Sequence, residues 1–266
     1  MNNDVQITII TATLNEIGNI TSLIGSLSEI AKNNNYNLEH IIVDNGSTDG
    51  TVEVIEKNLN RSDISLRLIK NLKNNGPDYS TWVGLHQARG DITIVLVADF
   101  QDPLNLIPLI IDKLHKQKSF DCVICCNVET LCTMRNIANN IFYYFLNIVS
   151  LSKEHKGFQG YCALSKDLVT RMLRQEFKYF YFRGLVNKTA INPLIIDYSK
   201  NERINGNSNY NLHKLLRFSI VALNSQNKYL IPIIFFILFF IIDSKILLLI
   251  LILLFIYQIQ IYSSEP

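Results

Sequence analysis

"DITIVLVADFQDP", residues 91–103, decides how this chain is read. After Asp91 it continues in apolar and β-branched residues, the composition of a strand covered on both faces. It then meets two acids three positions apart, Asp99 and Asp102. An apolar strand that ends in acids is a common place to hold a metal-bound phosphate. The position two before Asp99, where a second ligating acid would be useful, holds Val97. Two readings follow: a phosphate-handling site with one ligand missing, or a strand running into a polar turn.

Outward from that stretch, strand and helix signals alternate. Residues 5–11, 38–44 and 64–70 read as strands. Residues 15–32 and 49–59 read as helices, with Asn15 as the first helix's N-cap. Gly76-Pro77-Asp78 opens another helix, with Pro in the tolerated first turn. A helix over 106–118 leads to a strand at 120–126. Beyond it the pattern predicts an aromatic-rich helix at 134–151 and a strand at 157–165 crossed by close-packing glycines. Helices from Lys166 and over 179–188, a strand at 192–198, and a Gly/Asn loop passing into an amphipathic helix over 203–223 complete the pattern. Such alternation argues for an α/β sandwich with a mostly parallel sheet. In these sheets ligands bind beyond the carboxyl ends of the strands. That rule selects "TATLNE", "VDNGSTDG" and "VADFQDP".

The bulk composition narrows the classes. A formal charge of +2 without a Lys/Arg block gives no reason to expect nucleic acid. Five cysteines, Cys122, Cys125, Cys126, Cys132 and Cys162, lack metal-ligand spacing, and those at 122–126 read as reduced thiols in a buried strand. The first residues carry no basic n-region with a cleavage site, so the main domain is expected in the cytoplasm. Residues 229–262 are nearly all apolar, with Asp243 and Lys245 as the only charges. One straight helix would bury both charges mid-membrane, which is costly. The reading is therefore a hairpin of two spans, 229–242 and 246–262, turning at "DSK", with a re-entrant hairpin as the alternative. Lys214, Arg217 and Lys228 place the preceding side in the cytoplasm. The expected organisation is a catalytic domain over 1–202, an acceptor loop and interfacial helix over 203–228, and the membrane hairpin. The expected location is the cytoplasmic membrane.

In "HIIVDNGSTDGT", residues 40–51, a strand ends in Asp44 and enters a tight Asn45-Gly46 turn. The carboxylate can accept from a base or ribose donor, and the turn lets the backbone approach a ligand. A βα connection with an Asp cap has the same pattern. Taken in order and at their spacing, "TATLNE", "IIVDNGSTDGT" and "NNGPDYSTWVGLHQARGDITIVLVADFQDP" resemble family 2 glycosyltransferases. "GFQGYCALSKDLV", "YFRGLV" and "RINGNSNYNLHKLLRF" extend the likeness to the branch of dolichol-phosphate mannose synthases and bactoprenol glucosyltransferases.

The resemblance implies a GT-A fold, a nucleotide-sugar donor (UDP- or GDP-sugar), inversion at the transferred sugar, and a divalent cation, Mg²⁺ or Mn²⁺. It implies nucleoside contacts by Thr13, Asn15, Glu16, Asp44 and Gly76, with Ala12 and Leu14 replacing the family's Pro and Tyr. Asp99 and Gln101 would hold the metal on the diphosphate. Asp102 would lie beside the sugar and metal, and Arg203 would approach phosphate oxygens. Arg183 and Gly206 fall on the acceptor side, although a snorkelling Arg183 over an aromatic face is an equal alternative. Val97, Gly160, Cys162 and Asn209 depart from the family's residues.

A polyprenyl phosphate is already anionic and needs no general base, whereas a sugar hydroxyl does. With no evident base other than Asp102, which could serve, the expected acceptor is polyprenyl phosphate or another lipid-linked molecule. A glycan hydroxyl, or a catalytically weakened nucleotide-sugar-binding pseudoenzyme, is the alternative. A homo-oligomer is compatible with the sequence.

Overall fold

The computed structural model describes residues 6–60, 64–128, 155–175 and 180–201, and residue 252. The expected helix at 134–151, the segment 203–228, both apolar spans, Cys132, Arg203 and Gly206 lie outside these residues. Among the described residues no helix is long and apolar enough to cross a membrane.

Seven strands form one sheet: β1 (Gln6–Thr13), β2 (Asn37–Asp44), β3 (Ser65–Lys70), β4 (Ile92–Val97), β5 (Cys122–Asn127), β6 (Phe158–Ser165) and β7 (Pro193–Tyr198). Their order is β3-β2-β1-β4-β6-β5-β7. β6 runs antiparallel to both β4 and β5, and the remaining neighbours pair in parallel. The connecting helices are α1 (Ile17–Asn34), α2 (Thr51–Asn58), α3 (Pro77–Gln87), α4 (Ile107–Lys116), α5 (Lys166–Leu173) and α6 (Phe182–Thr189).

The period-2 geometry of strands divides the core into two layers. Ile9, Ile94 and Val123 face α1, α2 and α4. Their neighbours Ile10, Val95 and Ile124 face α3, α5 and α6. Strands covered on both faces explain the near-continuous apolar runs. The α/β/α sandwich expected from the alternation is what forms. Cys122, Cys125, Cys126 and Cys162 are buried free thiols, as their apolar setting implied, and burial pushes Cys125 up to about 12.

Local differences have local causes. Asn15 is not the N-cap of α1. It adopts a left-handed backbone, φ 57°, and Glu16 takes the cap position without a side-chain cap bond. The Asn15 side chain is used elsewhere, accepting from the Thr48 N–H. Helix α2 starts at Thr51 after Gly50, two residues later than its periodicity suggests. Of the two glycines flanking β6's start, Gly157 is close-packed: a Cβ there would lie 2.3 Å from the Asn127 carbonyl oxygen. Gly160 has open space around that position and a φ of +111°.

His40 is fully buried in β2, its Nε2 2.9 Å from Thr11 Oγ1 and its Nδ1 without a partner. Burial lowers its pKa to about 3. The ring is neutral inside the sheet.

Candidate active site

Because β2, β1 and β4 are parallel neighbours, their carboxyl ends share one edge of the sheet. Thr13 is in register with Asp44, and Ala12 with Val97. The connections that leave this edge are stitched together by side chains. The Asn15 N–H donates to Ser47 Oγ at 2.8 Å, and the Thr48 N–H donates to Asn15 Oδ1 at 2.9 Å. The Glu16 N–H donates to Thr51 Oγ1 and the Ile17 N–H to Asp49 Oδ2. Asn45 does the same toward the β3–α3 connection: its Nδ2 donates to Asn74 Oδ1 at 2.7 Å, and its Oδ1 accepts from the Asn75 N–H at 3.0 Å. Three loops therefore form one polar floor.

Within that floor, Asp44 is 2 % exposed, and its Oδ2 accepts the N–H groups of Gly46 and Ser47, each at 3.0 Å. Gly46 sits at φ +87°, where a side chain would be strained, which lets the chain turn back onto this carboxylate. The other oxygen, Asp44 Oδ1, is buried without a hydrogen-bond partner, as are Thr13 Oγ1 and Asn75 Oδ1. Buried polar atoms are normally satisfied, so orphans converging on one floor mark where a ligand's donors belong. Two are pure acceptors, which suits the N–H of a nucleobase or a ribose O–H. Thr13, Asn15, Glu16 and Asp44, to which the resemblance assigns nucleoside contacts, come together at this edge. Gly76 closes the same loop through its N–H to Asn74 Oδ1. Glu16 turns inward along its own helix, accepting from Asn19 Nδ2.

Beyond β4 the chain doubles back. Asp99 is 5 % exposed, and its Oδ1 accepts the Gln101 N–H at 3.1 Å. Phe100 between them has φ 60°. Val97, at the position of the missing acid, is 38 % exposed at the strand end. Asp102 is also 5 % exposed and accepts the Tyr198 hydroxyl on Oδ1 at 2.5 Å. Burial raises its pKa; the Lys200 charge, the Tyr198 bond and the Val97 N–H oppose the rise, while the Asp99 carboxylate adds to it. Asp102 thus stands near Asp99, and both carboxylates are buried. A cleft of about 740 Å³ opens beside this loop, between Glu29 and Ile30 of α1 and Phe100, Asp102 and Asp197; Thr13, Asp44 and Asn75 do not line it.

Among the described residues no group of three His, Cys, Asp or Glu side chains could cage a metal. The donor set does fit a cation shared with phosphate oxygens, because Mg²⁺ is commonly held by one or two carboxylates plus substrate phosphates. Asp99 offers a carboxylate, its Oδ1 accepting the Gln101 backbone N–H, and Gln101 carries an amide oxygen two residues on.

Arg183 lies at the start of α6. Its Nη1 donates to the Phe158 carbonyl at 3.1 Å, and its guanidinium carbon lies 5.2 Å from the centre of the Tyr181 ring. The half-buried Asp78 of α3 faces it and also receives the Phe182 N–H. Burial pushes the Asp78 carboxyl up to about 6, against the pull of Arg183. The sequence marks Asp78 only as a helix start and Asn45 only as a turn residue, without its contacts to Asn74 and Asn75, and it does not mark Tyr198 or Asn201. Their partners lie far away in the chain, so spacing carried no signal.

Comparisons with known proteins bear on the family and the fold. The family model described as glycosyl transferase family 2 matches residues 8–173, from β1 through α5. A prophage bactoprenol glucosyl transferase homolog of Escherichia coli strain K12 is 24 % identical over 222 residues, covering 83 % of this chain and 72 % of its own. An undecaprenyl-phosphate 4-deoxy-4-formamido-L-arabinose transferase of Pseudomonas savastanoi is 28 % identical over 105 residues, 40 % of this chain and 31 % of that protein. Among solved structures, glucosyl-3-phosphoglycerate synthase from Mycobacterium tuberculosis, in complex with Mn²⁺, UDP-glucose and phosphoglyceric acid, superposes with a TM-score of 0.59. It covers 84 % of this chain and 80 % of its own at 20 % identity, a likeness of fold. With the family model spanning well over half of its residues, the chain belongs to glycosyl transferase family 2.

Proposed function

We propose that the enzyme moves a sugar from a UDP- or GDP-sugar to polyprenyl phosphate or another lipid-linked acceptor at the cytoplasmic membrane, with inversion at the anomeric carbon. The observation that carries this reading is the pairing, on adjoining parallel strands, of two different features. Unsatisfied acceptors at Asp44 and Thr13 suit a nucleoside, and the Asp99–Gln101 loop suits its diphosphate. The names of the relatives support the acceptor class, and the apolar tail at 229–262 supports the membrane location.

In the reaction, an acceptor oxygen forms a bond to the anomeric carbon while the bond to the nucleoside diphosphate breaks and its electron pair leaves with the phosphate. Asp44 Oδ1 orients the base from the floor of the site. Asp99 and Gln101 would hold Mg²⁺ or Mn²⁺, which when bound supplies Lewis-acid neutralisation of the diphosphate charge. Thr13 and Asn75 offer further polar contacts to the nucleoside, and Arg183 stands on the acceptor side. A phosphate acceptor is already anionic and needs no general base to attack. Cys162 is fully buried in β6, so its side chain offers no group to an acceptor.

One observation favours a second reading, a weakened nucleotide-sugar-binding protein: the exposed Val97 at the position of the missing acid. The test is to incubate membranes containing the full chain with a panel of radiolabelled nucleotide-sugars and polyprenyl phosphate, then extract lipid. Label in the organic phase is expected. Label confined to the aqueous phase for every donor, with UDP binding retained, would favour the second reading.

A further inference from the structure

We propose that Tyr198, with Asn201, is a positioning residue for the loop that carries Asp99 and Gln101, and that Asp102 belongs to the same clasp instead of acting on the sugar. The inference rests on the reading of Asp99 and Gln101 as the cation-binding side of the site.

A loop that must present a carboxylate and an amide to one ion needs a fixed backbone. Left alone, this one would not keep its shape, because Phe100 occupies a left-handed conformation that a bulky L residue rarely adopts. The restraint comes from the end of β7, nearly a hundred positions later. The Tyr198 hydroxyl donates to Asp102 Oδ1, the Asn201 N–H donates to the Gln101 carbonyl at 3.0 Å, and Asn201 Nδ2 donates to the Phe100 carbonyl at 3.3 Å. The Asp102 carboxylate also takes the Val97 N–H, tying the loop's exit to its entrance.

The clasp is itself braced. Tyr161 meets the Tyr198 ring edge-on at 5.8 Å and donates its hydroxyl to the Pro103 carbonyl at 3.2 Å. The Lys200 N–H donates to Asn127 Oδ1 on β5. Tyr198 is 6 % exposed and Asp102 5 %, so the bond between them is shielded from water. A carboxylate placed this way, receiving donors from two segments of its own chain, holds backbone. Although Asp102 borders the cleft, its hydrogen bonds from the Tyr198 hydroxyl and the Val97 N–H commit it to the protein.

The test uses the full chain in detergent and three readouts: Mn²⁺ binding in the presence of UDP by the paramagnetic resonance of free Mn²⁺, turnover as a function of Mn²⁺, and amide hydrogen exchange of the metal-free protein. Tyr198→Phe keeps the ring and removes only the hydroxyl. It is expected to weaken Mn²⁺ binding about tenfold, the scale of losing a hydrogen bond to a charged group. Saturating Mn²⁺ should return turnover to within about twofold, since no group touching substrate is lost. Exchange over residues 97–103 should quicken about tenfold without metal.

Asp102→Asn, which keeps an acceptor oxygen for Tyr198, is expected to follow the same metal-rescuable pattern. A hundredfold fall in its turnover at saturating Mn²⁺ would instead make Asp102 a catalytic residue and overturn the proposal. So would a Tyr198→Phe protein that binds Mn²⁺ and exchanges like the parent. Should Tyr198→Phe fail to fold, Asn201→Ala is read on the same three measurements. If the parent binds UDP but no Mn²⁺, the reading of Asp99 and Gln101 fails, and the clasp proposal falls with it for that separate reason.

Discussion

Asp44 ends β2 and Asp99 follows β4, on either side of β1 at the same sheet edge, yet they meet different demands. Asp44 divides its oxygens: Oδ2 fixes the Asn45-Gly46 turn, and Oδ1 is buried without a hydrogen-bond partner. Replacing it with Asn keeps the side chain's size and removes one charged acceptor. UDP affinity should fall about tenfold, roughly 1.4 kcal/mol, by calorimetric titration. Asp99 faces the diphosphate in the proposed mechanism. Asp99→Ala should lower turnover at least about tenfold in metal-defined assays, the loss of ~1.4 kcal/mol of transition-state stabilisation. Unchanged turnover would take Asp99 out of the reaction. Both residues were visible in the sequence, because an acid at the end of an apolar strand has a recognisable local setting. Asn45 and Tyr198 have no such setting, and only their distant partners reveal them.

The strands and helices were legible for the same local reason. β4, β5 and β6 read as apolar runs bounded by polar turns, and they formed within a residue or two of the expected limits. The helix starts were less legible. Asn15 has the composition of an N-cap, but its side chain is taken by the neighbouring loop through Thr48, and tertiary contact overrides capping preference. Gly157 shows what close approach between elements demands. It holds φ +82° where β6 begins, and a Cβ there would overlap the Asn127 carbonyl of β5. Gly157→Ala should therefore cost about 2 kcal/mol or more of stability, through strain and forced separation. Urea denaturation followed by circular dichroism would measure it; a loss under about 0.5 kcal/mol would show that the junction yields easily.

At the scale of the whole molecule, the buried His40 links stability to pH. Its folded-state pKa is lowered to about 3 by burial, while an unfolded histidine titrates near 6.5. Between those values the unfolded chain binds the extra proton. The stabilisation is present above pH 6.5 and is lost as the pH falls toward 3, by up to about 1.4 kcal/mol per unit. The midpoint of thermal unfolding should decline more steeply below pH 6.5 in the parent than in His40→Gln; parallel profiles would show that His40 is not the cause.

By itself, the sequence determined the layered α/β sandwich and the family, because periodicity and strand-end chemistry are local properties of a chain. The place of β6 as a reversed strand between β4 and β5 was left to the tertiary structure. So were the choice of which oxygens stay unsatisfied at Thr13, Asp44 and Asn75, and the clasp from β7 onto the Asp99 loop. Each depends on contacts between residues distant in sequence, and such contacts exist only once packing has brought the segments together.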